Sequence, residues 1–178
     1  MIKLRTTNPN DIDFILTQEN RPEFKDLILC WSREQHSINL NSTEKRYFMI
    51  ENSLAETVGY AILSGLTSPN RSIELTRIVI AKPGLGYGKC ALRIIIKKVF
   101  EEYNAHRFWL DVFEHNQRAR YVYQSVGFQV EGVLREAIKQ GETNLQAGSL
   151  PQVMFLHPKA DKYFSLVVMS ILENEYFT

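Results

Sequence analysis

Three features of the 178-residue sequence predict an α/β fold: a mixed, mostly antiparallel sheet, with one parallel strand pair, flanked by helices. The first is a succession of β-branched and aromatic runs, "RYFMIEN", "TVGYAILSGL" and "SIELTRIVIA", broken by Asn, Ser, Gly and Pro; it reads as an antiparallel meander. The second is a helix with one apolar face, on which Ala91, Leu92, Ile95, Ile96, Val99 and Phe100 recur, while Lys89, Arg93, Lys97 and Glu101 face away. The third is the strand "RFWLDVF" after that helix, with Phe108, Leu110 and Val112 on one face. The helix separates it from "ELTRIVI", so the two strands form a parallel βαβ unit. A chain of this length fits one domain, residues 1–178.

The remaining elements follow in order. "IKLR" is a short strand, and Asn8-Pro9 caps a helix through Asp11, Ile12, Ile15 and Leu16. In "RPEFKDLILCWSREQ" the spacing of Phe24, Leu27, Ile28 and Trp31 predicts a second helix, followed by the polar connector "NLNSTEK". Beyond "RFWLDVF", Asn116 caps a helix on which Ala119, Val122, Tyr123 and Val126 share a face, and Gly127 ends it. "FQVEGVLREAIK" and "YFSLVVMSIL" complete the set of strands. Between them the 141–161 connection is longer than the roughly 12 to 15 residues usual for a structureless loop, which points to a functional segment or an added strand at "PQVMFL".

Composition narrows the function. A net charge of +1 gives no electrostatic footprint for nucleic acid. Cys30 and Cys90 form no CxxC pair and offer neither a disulfide framework nor a zinc site, so both are expected to be reduced and buried. No signal-like or membrane-spanning apolar run is present, and the expectation is a cytoplasmic protein without a membrane partner.

The chemistry centres on "AKPGLGYGKCALRIII", a glycine loop between strand and helix. The first-turn amides of a helix lack partners and the dipole is positive there, which suits an anion such as a phosphate. Gly84, Gly86 and Gly88 give GxGxG, not the GxGxxG of a dinucleotide site. Pro83, Gly88, Lys89 and Cys90 also fail the GxxxxGK[ST] pattern of a P-loop.

The loop does resemble the (Q/R)xxGx(G/A) pyrophosphate loop of the GNAT-type N-acetyltransferases, with Gly86 and Gly88 at its glycine positions. "ELTRIVIAKPGLGYGKCAL" followed by "HRFWLDVFEHNQRARYVYQSVGFQVEGVLREA" is similar to that family's loop and its later Asn, Tyr and Gly-Phe-x-x-x-Gly segments, in order and spacing. Whole-chain likeness leans to members that acetylate ribosomal-protein N-termini, polyamines or aminoglycosides. Two departures stand out: Pro83 replaces the usual Gln or Arg, and the 141–161 connection is longer than the family's short hairpin. Proline has no N–H, so one phosphate contact is lost, and Lys82 is the neighbouring source of charge.

The resemblance implies acetyl-CoA as cosubstrate, held where "ELTRIVI" and "RFWLDVF" splay apart. Ile78, Val79 and Ile80 would flank it, and its pyrophosphate would lie on the amides of Leu85, Gly86, Tyr87, Gly88 and Lys89. Asn116 would touch the pantetheine arm, and Tyr123 would hydrogen-bond the departing sulfur. An acceptor ammonium with pKa about 10.4 must lose a proton before it attacks. Glu74 is the candidate base; its other reading is a solvated strand-end carboxylate, because alternation does not fix its direction without the position of any bulge. Tyr123 has a core reading through its apolar neighbours. Trp31, Glu34 and His36 are candidates for the acceptor pocket, with Trp31 also readable as core, and His106, His115 and His157 receive no role.

The implied reaction is direct acetyl transfer to a primary amine, small-molecule or peptide, in a ternary complex that needs no metal. A homodimer is a family-level expectation. Two rivals stand beside the enzyme: a non-catalytic acyl-CoA-binding module of the same fold, and a nucleotide-binding protein using the same glycine loop.

Overall fold

The computed structural model describes residues 2–24, 27–139 and 163–178, and its strands pair into one seven-stranded sheet. The meander appears as β2 (Arg46–Glu51), β3 (Thr57–Ser64) and β4 (Ser72–Ile80), each antiparallel to the next, with β1 (Lys3–Thr6) added outside β2. α3 (Tyr87–Glu101) carries the chain over to β5 (Arg107–Phe113), which runs parallel to β4. α4 (Gln117–Gln124), β6 (Gln129–Lys139), β7 (Tyr163–Leu172) and α5 (Glu173–Tyr176) follow. The order across the sheet is β1-β2-β3-β4-β5-β7-β6, so the parallel pair sits inside it. The 141–161 connection and its "PQVMFL" stretch lie outside the described residues.

The two faces of the sheet are covered differently. On one, the predicted apolar face of α3, from Ala91 to Phe100, is buried, and most of it packs on Ile73, Leu75, Phe108, Leu110 and Val112. Removing a Leu, Ile or Phe side chain from water contributes about 1.5–3 kcal/mol, so this face anchors the domain. On the other, Ile15 and Phe14 of α1 (Ile12–Glu19) and Leu40 of α2 (Arg33–Leu40) pack over Tyr47, Met49, Tyr60, Ile62 and Val79.

The second predicted helix is corrected by the structure. Pro22–Phe24 form one 3₁₀ turn, Leu29 to Trp31 are irregular, and α2 begins at Arg33 and runs on through Asn39 and Leu40, into the expected connector. Ser32 and Gln35 form a reciprocal capping box that starts the helix there. Phe24, Ile28 and Trp31 still pack on the core, which explains why their spacing imitated a helix. The cysteines are corrected as well: Cys30 is half-buried and Cys90 lies exposed on α3, outside its apolar stripe.

A bulge in β4 decides which side chains reach the site. Leu75 pairs with Leu63 and Arg77 with Ile62, so Thr76 is an extra residue on β4. One added residue inverts the alternation beyond it. Before the bulge Ile73 and Leu75 face α3; after it Ile78 takes that face, and Arg77 and Val79 turn toward α1 and α2.

Candidate active site

β4 and β5 pair only at Ser72–Arg107, Ile73–Phe108 and Glu74–Trp109, and then separate. From Leu75 to Ile80 the β5-facing edge of β4 has no strand partner among the described residues. That open edge leads into the glycine loop. Gly86 adopts a left-handed conformation with φ 77°, which an L side chain rarely tolerates, and it is the N-terminal cap of α3 with no side-chain cap. The first helical hydrogen bond runs from Cys90 N–H to the Gly86 carbonyl at 3.2 Å. The amides of Tyr87, Gly88 and Lys89 precede it and find no acceptor among the described residues. Leu85 is exposed beside them, as are Lys82 and Pro83.

Glu74 precedes the bulge and lies on the face opposite Ile73 and Leu75, so the core does not absorb it. Ser64 is its partner on β3 and Trp109 its partner on β5. Ser64 Oγ lies 2.7 Å from Thr76 Oγ1 and accepts from Lys45 Nζ at 3.1 Å, which brings a lysine to the same place. Burial pushes the Glu74 carboxyl above the ordinary range, and the charge of Asp111 adds to this; Lys45 and a hydrogen bond with Thr76 oppose it. A raised carboxyl is a better proton acceptor than an exposed one.

Asp111 is the residue that the sequence reading missed. The alternation that turns Phe108, Leu110 and Val112 inward leaves Trp109 and Asp111 together on the other face, beside Glu74. Its carboxyl is raised by burial although its side chain reaches solvent, and no ion pair or hydrogen bond engages it among the described residues.

α4 brings in the other predicted groups. Asn116 Oδ1 accepts from the Ala119 amide at 3.1 Å, which makes it the helix cap. Gly127, at φ 111°, ends the following turn. The Tyr123 ring packs edge-on against Phe128 at 5.8 Å, and no partner engages its hydroxyl among the described residues. Burial, then Asp111, push the Tyr123 phenol well above its usual value, so it stays protonated and suits donation of a hydrogen bond rather than of a proton. Tyr121 points to solvent. Of the coenzyme candidates on β4, Val79 turns its side chain into the core and its backbone toward β3, where its carbonyl lies against Gly59; Ile78 and Ile80, half-buried on the α3 face, alternate with it and turn their backbone groups to the open edge.

A second polar cluster lies behind the site. Glu19 of α1, fully buried, accepts from Arg77, from Tyr60 Oη at 2.7 Å and from the Trp31 amide at 3.2 Å, and His36 Nε2 is 3.3 Å away. His36 Nδ1 in turn faces Tyr47 Oη at 3.2 Å, so the ring bridges Glu19 and Tyr47. Arg77 also donates to the Leu29 carbonyl, and its guanidinium stacks 4.4 Å from the Trp31 ring centroid. Lys45 Nζ is 5.5 Å from that ring. His36 and the Arg77 face of Trp31 are thus structural groups that fix the 27–32 loop beside the site, while Glu34 is exposed.

A glycine loop ending in bare helical amides, a bulged strand parting from a parallel neighbour and a carboxylate at the parting together define an acyl-coenzyme-binding transferase architecture. The chain belongs to the acetyltransferase (GNAT) family, whose model matches residues 13–128. A probable spermine N(1)-acetyltransferase from Bacillus subtilis subsp. natto is 39% identical over 67 residues, which are 36% of this chain and 44% of that relative; the match spans less than half the relative's length. The spermidine N-acetyltransferase of Vibrio cholerae, solved in complex with CoA and spermine, superposes with a TM-score of 0.78 at 22% identity over 99% of this chain and 98% of its own. A chimera of that enzyme with hSSAT gives a TM-score of 0.79 at 22% identity, over 99% and 98% of the two chains. These likenesses establish the fold.

Proposed function

We propose that the protein transfers the acetyl group of acetyl-CoA directly to a primary amine, and that the acceptor is a polyamine. The observation that carries this is the continuity of the open β4 edge with the bare amides of Tyr87, Gly88 and Lys89. It offers unpaired backbone donors and acceptors to a pantetheine arm at one end and positive dipole to a pyrophosphate at the other. Ile78 and Ile80, through side chains and edge-facing backbone, with Leu85, Gly86 and Asn116, complete the coenzyme groove in this reading, and Val79 serves it only by holding β4 on β3. The names of the relatives and the two carboxylates at the parting favour a cationic acceptor.

The acceptor ammonium gives a proton to Glu74, and the freed lone pair attacks the thioester carbon. The C–S bond then breaks with its electron pair on sulfur, which Tyr123 stabilises through its O–H. Solvent takes the second proton from the amide nitrogen. Calorimetric titration with acetyl-CoA, with NAD and ATP as controls, tests the coenzyme half of this reading. Saturable binding of acetyl-CoA alone is expected; no binding, or binding displaced by ATP or NAD, removes the assignment.

A further inference from the structure

We propose that Asp111 is the residue that holds the acceptor's reacting ammonium at the thioester, working with Glu74 as a carboxylate pair that takes up the amine's proton. This rests on the acetyl-transfer reading above and names a residue for it that the sequence analysis did not single out.

The register places it. Glu74 is opposite Trp109 at the last paired position of β4 and β5, and Asp111 follows two residues later on the same face, where the strands have already parted. Asp111 therefore stands across the opening from the bulge at Thr76, on the strand that faces the open edge of β4. It acts electrostatically on both groups already given roles, raising Glu74 on one side and Tyr123 on the other. Its place on β5 just past the parting, on the Glu74 face, sets it at the opening where an attacking nitrogen approaches.

The surrounding charges leave it available. Lys45 is committed to Ser64 and the Trp31 ring on the Glu74 side. Arg107, on the same face of β5, pairs with Glu131 of β6 and stacks on Trp109. Arg77 is consumed by Glu19. β7 presents Val168 and Ser170 opposite Asp111 and Trp109, with Ser170 donating to Glu131, so it brings no charge. Among the described residues, then, nothing cationic neutralises Asp111, and an incoming ammonium is the natural counter-charge. The negative charge of Asp111 on the same face favours the protonated form of Glu74, so Asp111 supports the transfer of the amine's proton to Glu74.

The test is kinetics and binding on Asp111→Asn and Asp111→Glu. With spermidine as acceptor, Asp111→Asn is expected to lower kcat/KM at least tenfold and to move its acid limb to lower pH, because Glu74 loses a repelling neighbour. Asp111→Glu restores most of the rate, and acetyl-CoA affinity stays within about twofold in both. An Asp111→Asn protein with unchanged kcat/KM and acid limb overturns the proposal while leaving acetyl transfer intact. A loss that leaves the limb in place and is not rescued by Asp111→Glu marks a merely structural residue and overturns it too.

Spermidine titrated into the CoA-saturated proteins separates the proposal from the reading beneath it. If the wild type turns over no amine yet binds spermidine at least tenfold more tightly than Asp111→Asn, the transfer reading fails and the ammonium site stands. Equal binding, or none, removes the Asp111 site, and the transfer reading falls with it only where the wild type also turns over no amine.

Discussion

Two sets of carboxylates sit on the same face of the sheet and experience opposite fates. Glu19 is fully enclosed, and burial alone would raise it. The hydrogen bond from His36, the charge of Arg77 and the Tyr60 hydroxyl outweigh that and hold it below the ordinary glutamate range. Glu74 and Asp111 are less enclosed, yet burial raises both, since among the described residues no guanidinium engages either to offset it. What separates a structural carboxylate from a chemical one here is the partner supplied, not the depth. The first fixes the 27–32 loop through Arg77 and Trp31; the second pair leaves charge free for a substrate.

Breaking the paired side should do the most damage. Glu19→Gln leaves the Arg77 guanidinium buried without its counter-charge, and a loss of about 3–5 kcal/mol in urea unfolding is expected. A loss below about 1 kcal/mol would show that water reaches the cluster. Glu74→Gln should behave in the opposite way: stability unchanged or slightly higher, and kcat/KM lowered about 100-fold, the lower end for a lost general base. Steady-state kinetics beside a thermal melt checks both halves. Tyr123→Phe is the milder lesion, with kcat down about tenfold, or about 1.4 kcal/mol of transition-state stabilisation, and acetyl-CoA affinity preserved; unchanged kcat would take away its role.

The pH dependence of stability sharpens the contrast further. A depressed Glu19 contributes stability that is present above the unfolded glutamate value of 4.5 and is lost as pH falls through its folded value. Glu74 is raised, so its contribution is fully present below 4.5 and is lost as pH rises through its folded value. Urea midpoints between pH 3 and 7 should therefore fall on acidification in the wild type and fall less in Glu19→Gln.

Much of this was legible in the sequence where the cause is local. The stripe of α3, the Asn116 cap and the Gly127 stop appear as read, because each depends on neighbours within a turn or two; the parallel crossover appears as read because a helix between two strands carries the chain back in the same direction. The bulge was not legible: Thr76 is extra only relative to Ile62 and Leu63 on another strand, and the direction of Glu74 depends on it. Nor was the Glu19 cluster, whose bonds to His36, Tyr60 and Arg77 join residues 17, 41 and 58 positions apart. Asp111 did leave a signal, as the polar residue out of phase with Phe108, Leu110 and Val112, but only the pairing with β4 gives that phase a meaning. The apolar spacing from Phe24 to Trp31 misled because core packing, not helical geometry, produced it.

The most direct test of the central claim is the release of coenzyme A from acetyl-CoA with and without spermidine, followed together with formation of the acetylated amine. Release that saturates with spermidine, matches product one for one and falls as the carboxylate pair is protonated is the predicted result. Tight acetyl-CoA binding with no amine-dependent release across a broad amine panel would contradict it and identify the protein as a coenzyme-binding module that keeps the fold without the chemistry.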